Sequence, residues 1–142
     1  MKISARNVFQ GSISAIKTGS VNSEVEITLG GNDTIVAIVT NGSVQKLGLA
    51  AGKAVTTLLK ASSVLVMTDS SGITLSARNV LAGKVAKVSS GPVNSEVTIV
   101  LPSGVSVHAT ITHDAVDELG IKEGVNASAV FKASAVILGV PS

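Results

Sequence analysis

Proton-donating side chains occur in short clusters along this chain, and the clusters occur twice. Ser4-Ala5-Arg6-Asn7 returns as Ser76-Ala77-Arg78-Asn79, an offset of 72 residues. At the same offset Lys60-Ala61-Ser62 returns as Lys132-Ala133-Ser134. A third polar island is the threonine-rich strand end before the helix in each copy. These segments offer hydroxyls, a guanidinium, an ammonium and backbone N–H groups at turns and at a helix start. Many donors with little carboxylate nearby describe an anion site.

The donor set also selects among anions. Phosphate keeps a proton near neutral pH, so a phosphate site needs an acceptor. Ser4–Arg6 and Lys60–Ser62 contain no Asp or Glu. A site lined by them favours a fully deprotonated oxyanion such as sulfate, molybdate or tungstate. The structural alternative is that Arg6 and Arg78 lie on the surface or pair with Glu24 and Glu96, while Lys60 and Lys132 are solvated strand ends with buried stems. Retention in both copies favours a role, because neighbours such as Phe9, Gln10 and Ser12 have changed in the second copy. Folding could explain the retained glycines at 11/83, 48/120 and 52/124, which suit turns and caps.

Val21-Asn22-Ser23-Glu24-Val25 also repeats, as Val93-Asn94-Ser95-Glu96-Val97. Read structurally, it is a turn that sets strand register. Read functionally, it is a second and more polar anion pocket where symmetry-related copies meet. The carboxylates of Glu24 and Glu96 weigh against the second reading.

Other motifs fail. Gly48 to Ala54 is one residue short of a phosphate loop and lacks its Ser or Thr. His108 and His113 replace Val36 and Asn41 of the first copy, and two histidines are too few for a metal site. His113-Asp114 lies among serines, but no nucleophile elbow is present. No catalytic constellation emerges. The chain has no cysteine, which excludes disulfides and thiolate chemistry. The start lacks the apolar stretch of a signal peptide, and no apolar run approaches a membrane span. A net charge of +2 is too small to argue for nucleic acid, and no Trp or Tyr is available to stack bases.

The elements that must position these donors are mostly strands. Val25 to Leu29 alternates apolar and polar residues, and Val97 to Leu101 repeats the pattern. Ile35, Ala37 and Val39 share one face of the next strand, matched by Val107, Ala109 and Ile111. Gly30–Asp33 and Pro102–Gly104 make the hairpin turns. One short helix per unit is predicted, from Ser43 to Gly48 and from an Asp114 cap through Val116 and Leu119 to Gly120. Strands at Val55–Lys60 and Ser63–Met67 complete the first unit. The result is an all-β chain of two tandem OB-like five-stranded β-barrels, each with one short helix, over residues 1–69 and 70–142. A small sandwich is the rival. Asp69-Ser70-Ser71-Gly72 is the linker. Units this small, with Phe9 and Phe131 the only aromatics, are expected to oligomerise.

Ser-Ala-Arg-Asn near a unit's start, Val-Asn-Ser-Glu-Val in its middle and Lys-Ala-Ser-Ser-Val near its end together resemble the molbindin or Mop-domain family. The resemblance covers nearly the whole chain, twice. It implies non-catalytic binding of molybdate, and of tungstate, in the cytoplasm, at sites between domains or subunits. It implies a homotrimer, with no nucleic-acid or membrane partner. Carried over, the oxyanion contacts fall on Ser4, Arg6, Thr40, Ser43, Lys60 and the Ala61 backbone, and again on Ser76, Arg78, Thr112, Lys132 and Ala133. Ala115 replaces Ser43, and Asp114 adds an acid near that helix start. Asn22, Ser23, Asn94 and Ser95 are candidates for sites on a threefold axis. The family's DNA-binding and ATPase partner domains do not appear in this sequence, which points to storage or homeostasis. The alternatives are a tandem OB-fold nucleic-acid binder and a purely structural oligomer.

Overall fold

A computed structural model describes residues 1–142. Ten strands and two short helices follow the order in which the sequence repeat predicts them. The first repeat supplies β1 (Asn7–Thr18), β2 (Asn22–Gly30), β3 (Asp33–Thr40), α1 (Asn41–Leu47), β4 (Ala54–Leu59) and β5 (Leu65–Met67). The second supplies β6 (Asn79–Ser90), β7 (Asn94–Val100), β8 (Ser106–Thr112), α2 (His113–Glu118), β9 (Asn126–Phe131) and β10 (Ile137–Gly139). A one-turn 3-10 helix follows β4 at Ala61–Ser63, and another follows β9 at Ala133–Ala135.

The strands form two five-stranded sheets, and each sheet borrows its last strand. One sheet runs β10-β4-β1-β2-β3, the other β5-β9-β6-β7-β8. Thus Ile137 pairs with Leu58 and Leu138 with Thr57 in the first, while Leu65 pairs with Val130 and Val66 with Ala129 in the second. Each sequence repeat gives four strands to one OB-like barrel and its fifth to the other. The hand-over occurs at Lys60 and Lys132, whose extended backbones lead into the 3-10 turns.

Alternation sets the core. Val25, Ile27, Ile35 and Ala37 are buried, and so are Val97, Ile99, Val107 and Ala109. Val55, Val85, Ala129 and Phe131 join them in one continuous apolar cluster across both barrels. Burying the valine, isoleucine and phenylalanine side chains among them contributes roughly 1.5–3 kcal/mol each. Gly11 and Gly83 permit the close approach of β1 to β2 and of β6 to β7. A Cβ at Gly11 would stand 2.6 Å from the Thr28 carbonyl oxygen, and one at Gly83 would stand 2.4 Å from that of Val100.

The helices match expectation at the end of α1 and differ from it in two details of α2. α1 ends at Gly48, whose φ of 62° is the left-handed cap that glycine favours. α2 is capped by Thr112, whose Oγ1 accepts from the Ala115 N–H, and Asp114 lies inside the first turn. The cap must precede the helix with extended backbone, and Thr112 has that conformation at φ −70° and ψ 150°. Val116 is buried as predicted, but Leu119, the C-cap residue, is 43% exposed.

Candidate anion site

The Ser-Ala-Arg-Asn segments do two different jobs. Their asparagines are buried at the start of β1 and β6. Asn7 Nδ2 donates to the His108 carbonyl at 2.8 Å, and the His108 N–H donates to Asn7 Oδ1 at 2.7 Å. Asn79 makes the same pair with Val36, at 2.8 Å in both directions. β8 and β3 are edge strands, so His108 and Val36 have free backbone groups there. A primary amide carries one donor side and one acceptor side, and it completes those groups as a neighbouring strand would. These two asparagines are outside the predicted site set. Their retention beside Ser and Arg was the available signal.

The arginines reach across the same seam. Arg6 Nη2 donates to Glu96 Oε1 at 2.9 Å. Arg78 holds Glu24 with both arms, Nη1 to Oε2 at 2.7 Å and Nη2 to Oε1 at 2.6 Å. The Arg78 hydrogen bonds are the main reason the Glu24 carboxyl lies below its ordinary range, opposed by partial desolvation and helped by the charges of Arg78 and Lys17. The same pair raises the Arg78 guanidinium. The ion pairing weighed against an anion role does occur, but between repeats. The glutamates of the Val-Asn-Ser-Glu-Val segments are its partners.

Ser4, Arg6, Lys60 and Ala61 come together in one cavity of about 370 Å³, joined by Ser62, Thr110 and Ile137. No carboxylate lines it. Ala61 is buried, so only its backbone is available to a ligand. Thr40 and Ser43 lie in a different cavity of about 380 Å³, with Asn22 and with Ser134 from the second repeat. Their hydroxyls bond to each other at 2.9 Å, and Thr40 Oγ1 caps the Ser43 N–H at 3.1 Å. Lys132 and Ala133 open the 3-10 turn that packs on β3, so the lysine segment of each repeat borders the threonine segment of the other. Ser76 and Lys132 are exposed, and Thr112 is engaged as a cap.

The Asn-Ser pairs are divided by the strand pleat. Asn22 and Asn94 face outward, while Ser23 and Ser95 are buried. Ser23 Oγ donates to Asn41 Oδ1, and Asn41 Nδ2 donates to the Gly19 carbonyl, tying strand to helix. In the second repeat His113 replaces Asn41, and both Ser95 Oγ and His113 Nδ1 are buried without a partner. His113 Nε2 lies 3.4 Å from Asp117, and His108 Nδ1 lies 3.5 Å from Glu96. No cluster of three metal-ligating side chains forms around either histidine.

Comparison with known proteins fits this geometry. The TOBE domain matches residues 3–66 and again 75–138. The chain belongs to the TOBE domain family. It is 47% identical over 140 residues to the molybdenum transport protein ModE of Azotobacter vinelandii, covering 99% of this chain and 52% of that protein. It is 40% identical over 141 residues to the molybdenum-pterin-binding protein MopA of Rhodobacter capsulatus, covering 99% and 53%. The chain thus spans about half the length of these curated relatives. A crystal structure of the cytoplasmic molybdate-binding protein ModG, with molybdate bound, superposes with a TM-score of 0.96 at 57% identity, covering 99% of this chain and 100% of that one. No helix of the chain is long and apolar enough to cross a membrane.

Proposed function

We propose that this TOBE-domain chain binds molybdate, and tungstate with it, as a non-catalytic store in the cytoplasm. The supporting observation is the cavity that gathers Ser4, Arg6, Lys60 and the Ala61 backbone with no carboxylate on its wall. Donors alone suit a dianion that carries no proton at neutral pH. The likeness to ModG, which binds molybdate, supports the same reading. On this reading Ser76, Arg78, Lys132 and Ala133 form the equivalent donor set, and Thr40, Ser43 and Thr112 add hydroxyls from the facing repeat. Asn22 and Asn94 are the outward members of the axial candidates, with Ser23 and Ser95 behind them.

The proposed assembly is a homotrimer. Ile3, Val8 and Ile137 are exposed apolar residues around the Arg6–Lys60 region, and Leu65, Ile73, Leu75 and Val80 repeat the pattern near Arg78. Such a concentration marks an interface. A second copy placed there would also complete cavities that one chain leaves open.

Equilibrium dialysis against molybdate, tungstate, sulfate and phosphate tests the reading. Tight binding of molybdate and tungstate with weak phosphate binding is the expected result. Equal affinity for phosphate would remove the deprotonated-anion argument. Crystals grown with molybdate should show anomalous peaks beside Arg6 and Lys60, and no peak there would refute the assignment.

A further inference from the structure

A smaller cavity of about 260 Å³ adjoins the Ser4–Lys60 cavity and shares Arg6 with it. Val8, Phe9 and Gln10 line it from the first repeat, and Val105, Ser106 and His108 from the second. Its polar wall is therefore a guanidinium, a primary amide, a hydroxyl and an imidazole. Several of these groups are unspent. Gln10 Oε1 accepts from Thr56 Oγ1 at 2.9 Å, while its NH2 has no protein acceptor. His108 Nδ1 is 3.0 Å from Thr98 Oγ1 and 3.5 Å from Glu96 Oε1, while its Nε2 makes no hydrogen bond to the protein.

The other seam keeps the hydroxyl, as Thr34 in place of Ser106, but lacks the amide and the imidazole: Ala82 and Val36 stand at the positions of Gln10 and His108. Arg78 is held by both carboxylate oxygens of Glu24, whereas Arg6 takes one oxygen of Glu96, and His108 approaches that same oxygen.

We propose that the Arg6–His108 cavity is a separate anion site, present at one seam only, which takes a small tetrahedral dianion of the sulfate type when His108 is protonated. The charged groups facing His108 are Arg6, from the segment before β1, and Glu96, from β7. Arg6 and His108 are the only ionisable side chains on the cavity wall, and Glu96 pairs with both from outside the lining. With neutral imidazole, the Glu96 pair offsets part of the Arg6 charge that the cavity sees. With imidazolium, Nδ1–H turns to Glu96 and Nε2–H is free to point at a ligand. One carboxylate then faces two cations, and the surplus positive charge attracts an anion. Histidine changes charge between about pH 5 and 8, so binding strengthens as pH falls through that range. By linkage the bound anion stabilises the imidazolium and raises the His108 midpoint.

His108 and His113 are the only two histidines, so their imidazole signals can be followed separately by long-range proton–nitrogen NMR. The whole chain is titrated from pH 8 to 5 with sodium sulfate or with chloride at equal ionic strength. Sulfate is expected to raise the His108 midpoint by about half a unit, a roughly threefold preference for the protonated form, and to leave His113 unchanged. Gln10→Ala should shrink that shift. A His108 midpoint indifferent to sulfate, or equal movement of both histidines, overturns the proposal. Molybdate dialysis on His108→Val separates this site from the proposed store. At pH 8, where the proposal leaves this cavity empty, unchanged molybdate binding is expected, and its loss would mean that the cavity is part of the molybdate site.

Discussion

Asn7 and His108 are 101 residues apart in sequence and exchange two hydrogen bonds, side-chain amide against backbone peptide. Asn79 and Val36 repeat the exchange. The retained asparagine therefore joins the two barrels, while Arg6 beside Asn7 faces the cavities.

Asn7→Ala should destabilise the chain by about 2–4 kcal/mol, because it leaves a buried N–H and a buried C=O unpaired. Asn79→Ala should cost a similar amount. Asn7→Asp keeps the acceptor and loses the donor, and burial penalises its charge, so it should destabilise as well. Urea denaturation followed by circular dichroism gives these values. A loss below about 0.5 kcal/mol for both alanine variants would show that the seam does not depend on the amides.

Arg6→Ala and Lys60→Ala should each weaken molybdate binding roughly 10- to 100-fold, the range of a lost charge-assisted hydrogen bond. Circular dichroism and sedimentation should stay unchanged. Loss of assembly with either variant would make the residue structural.

The Glu24 pair has a defined pH window. Its folded-state pKa lies below the ordinary value, chiefly through hydrogen bonds from Arg78. Its contribution is therefore present above the ordinary carboxylate range and lost as pH falls through the depressed folded value. Stability measured from pH 7 to 3 should fall less steeply in Glu24→Gln than in the parent. The loss at pH 7 should be small, because both side chains are partly exposed.

Gly11→Ala and Gly83→Ala should each cost about 1–3 kcal/mol, since the added methyl meets a backbone carbonyl. Gly42→Ala, where the nearest atom is Thr40 Oγ1 at 3.9 Å, should stabilise α1 by about 0.5–1 kcal/mol. Thermal melts of the three variants should therefore split in sign.

A polypeptide of residues 1–69 should associate in pairs through mutual exchange of β5. Analytical ultracentrifugation would show this, and a stable folded monomer would refute it.

Much of this architecture was legible in the sequence. Alternation placed Val25, Ile27, Ile35 and Ala37 in the core, and the 72-residue offset exposed two equivalent units. The strand exchange was not legible, because a period of two reveals which face of a strand is buried and says nothing about its neighbour. Ile137 could equally pair with β9 or β4 on pattern alone. The Thr112 cap was missed because Asp114 is also a good capping type, and the choice rests on backbone angles. Ser4, Arg6 and Lys60 were grouped by chemistry, and they do line one cavity. Thr40 and Ser43 line another, since the exchange sets them against the opposite repeat's lysine segment.

Traded strands also bear on how the molecule fails. Neither half can come apart without stripping an edge from its sibling, so melting should be a single concerted event rather than two. A protease cut at Ser70 or Ser71 would sever the tether while leaving the two pieces interlocked, much as clasped hands hold after a sleeve is torn.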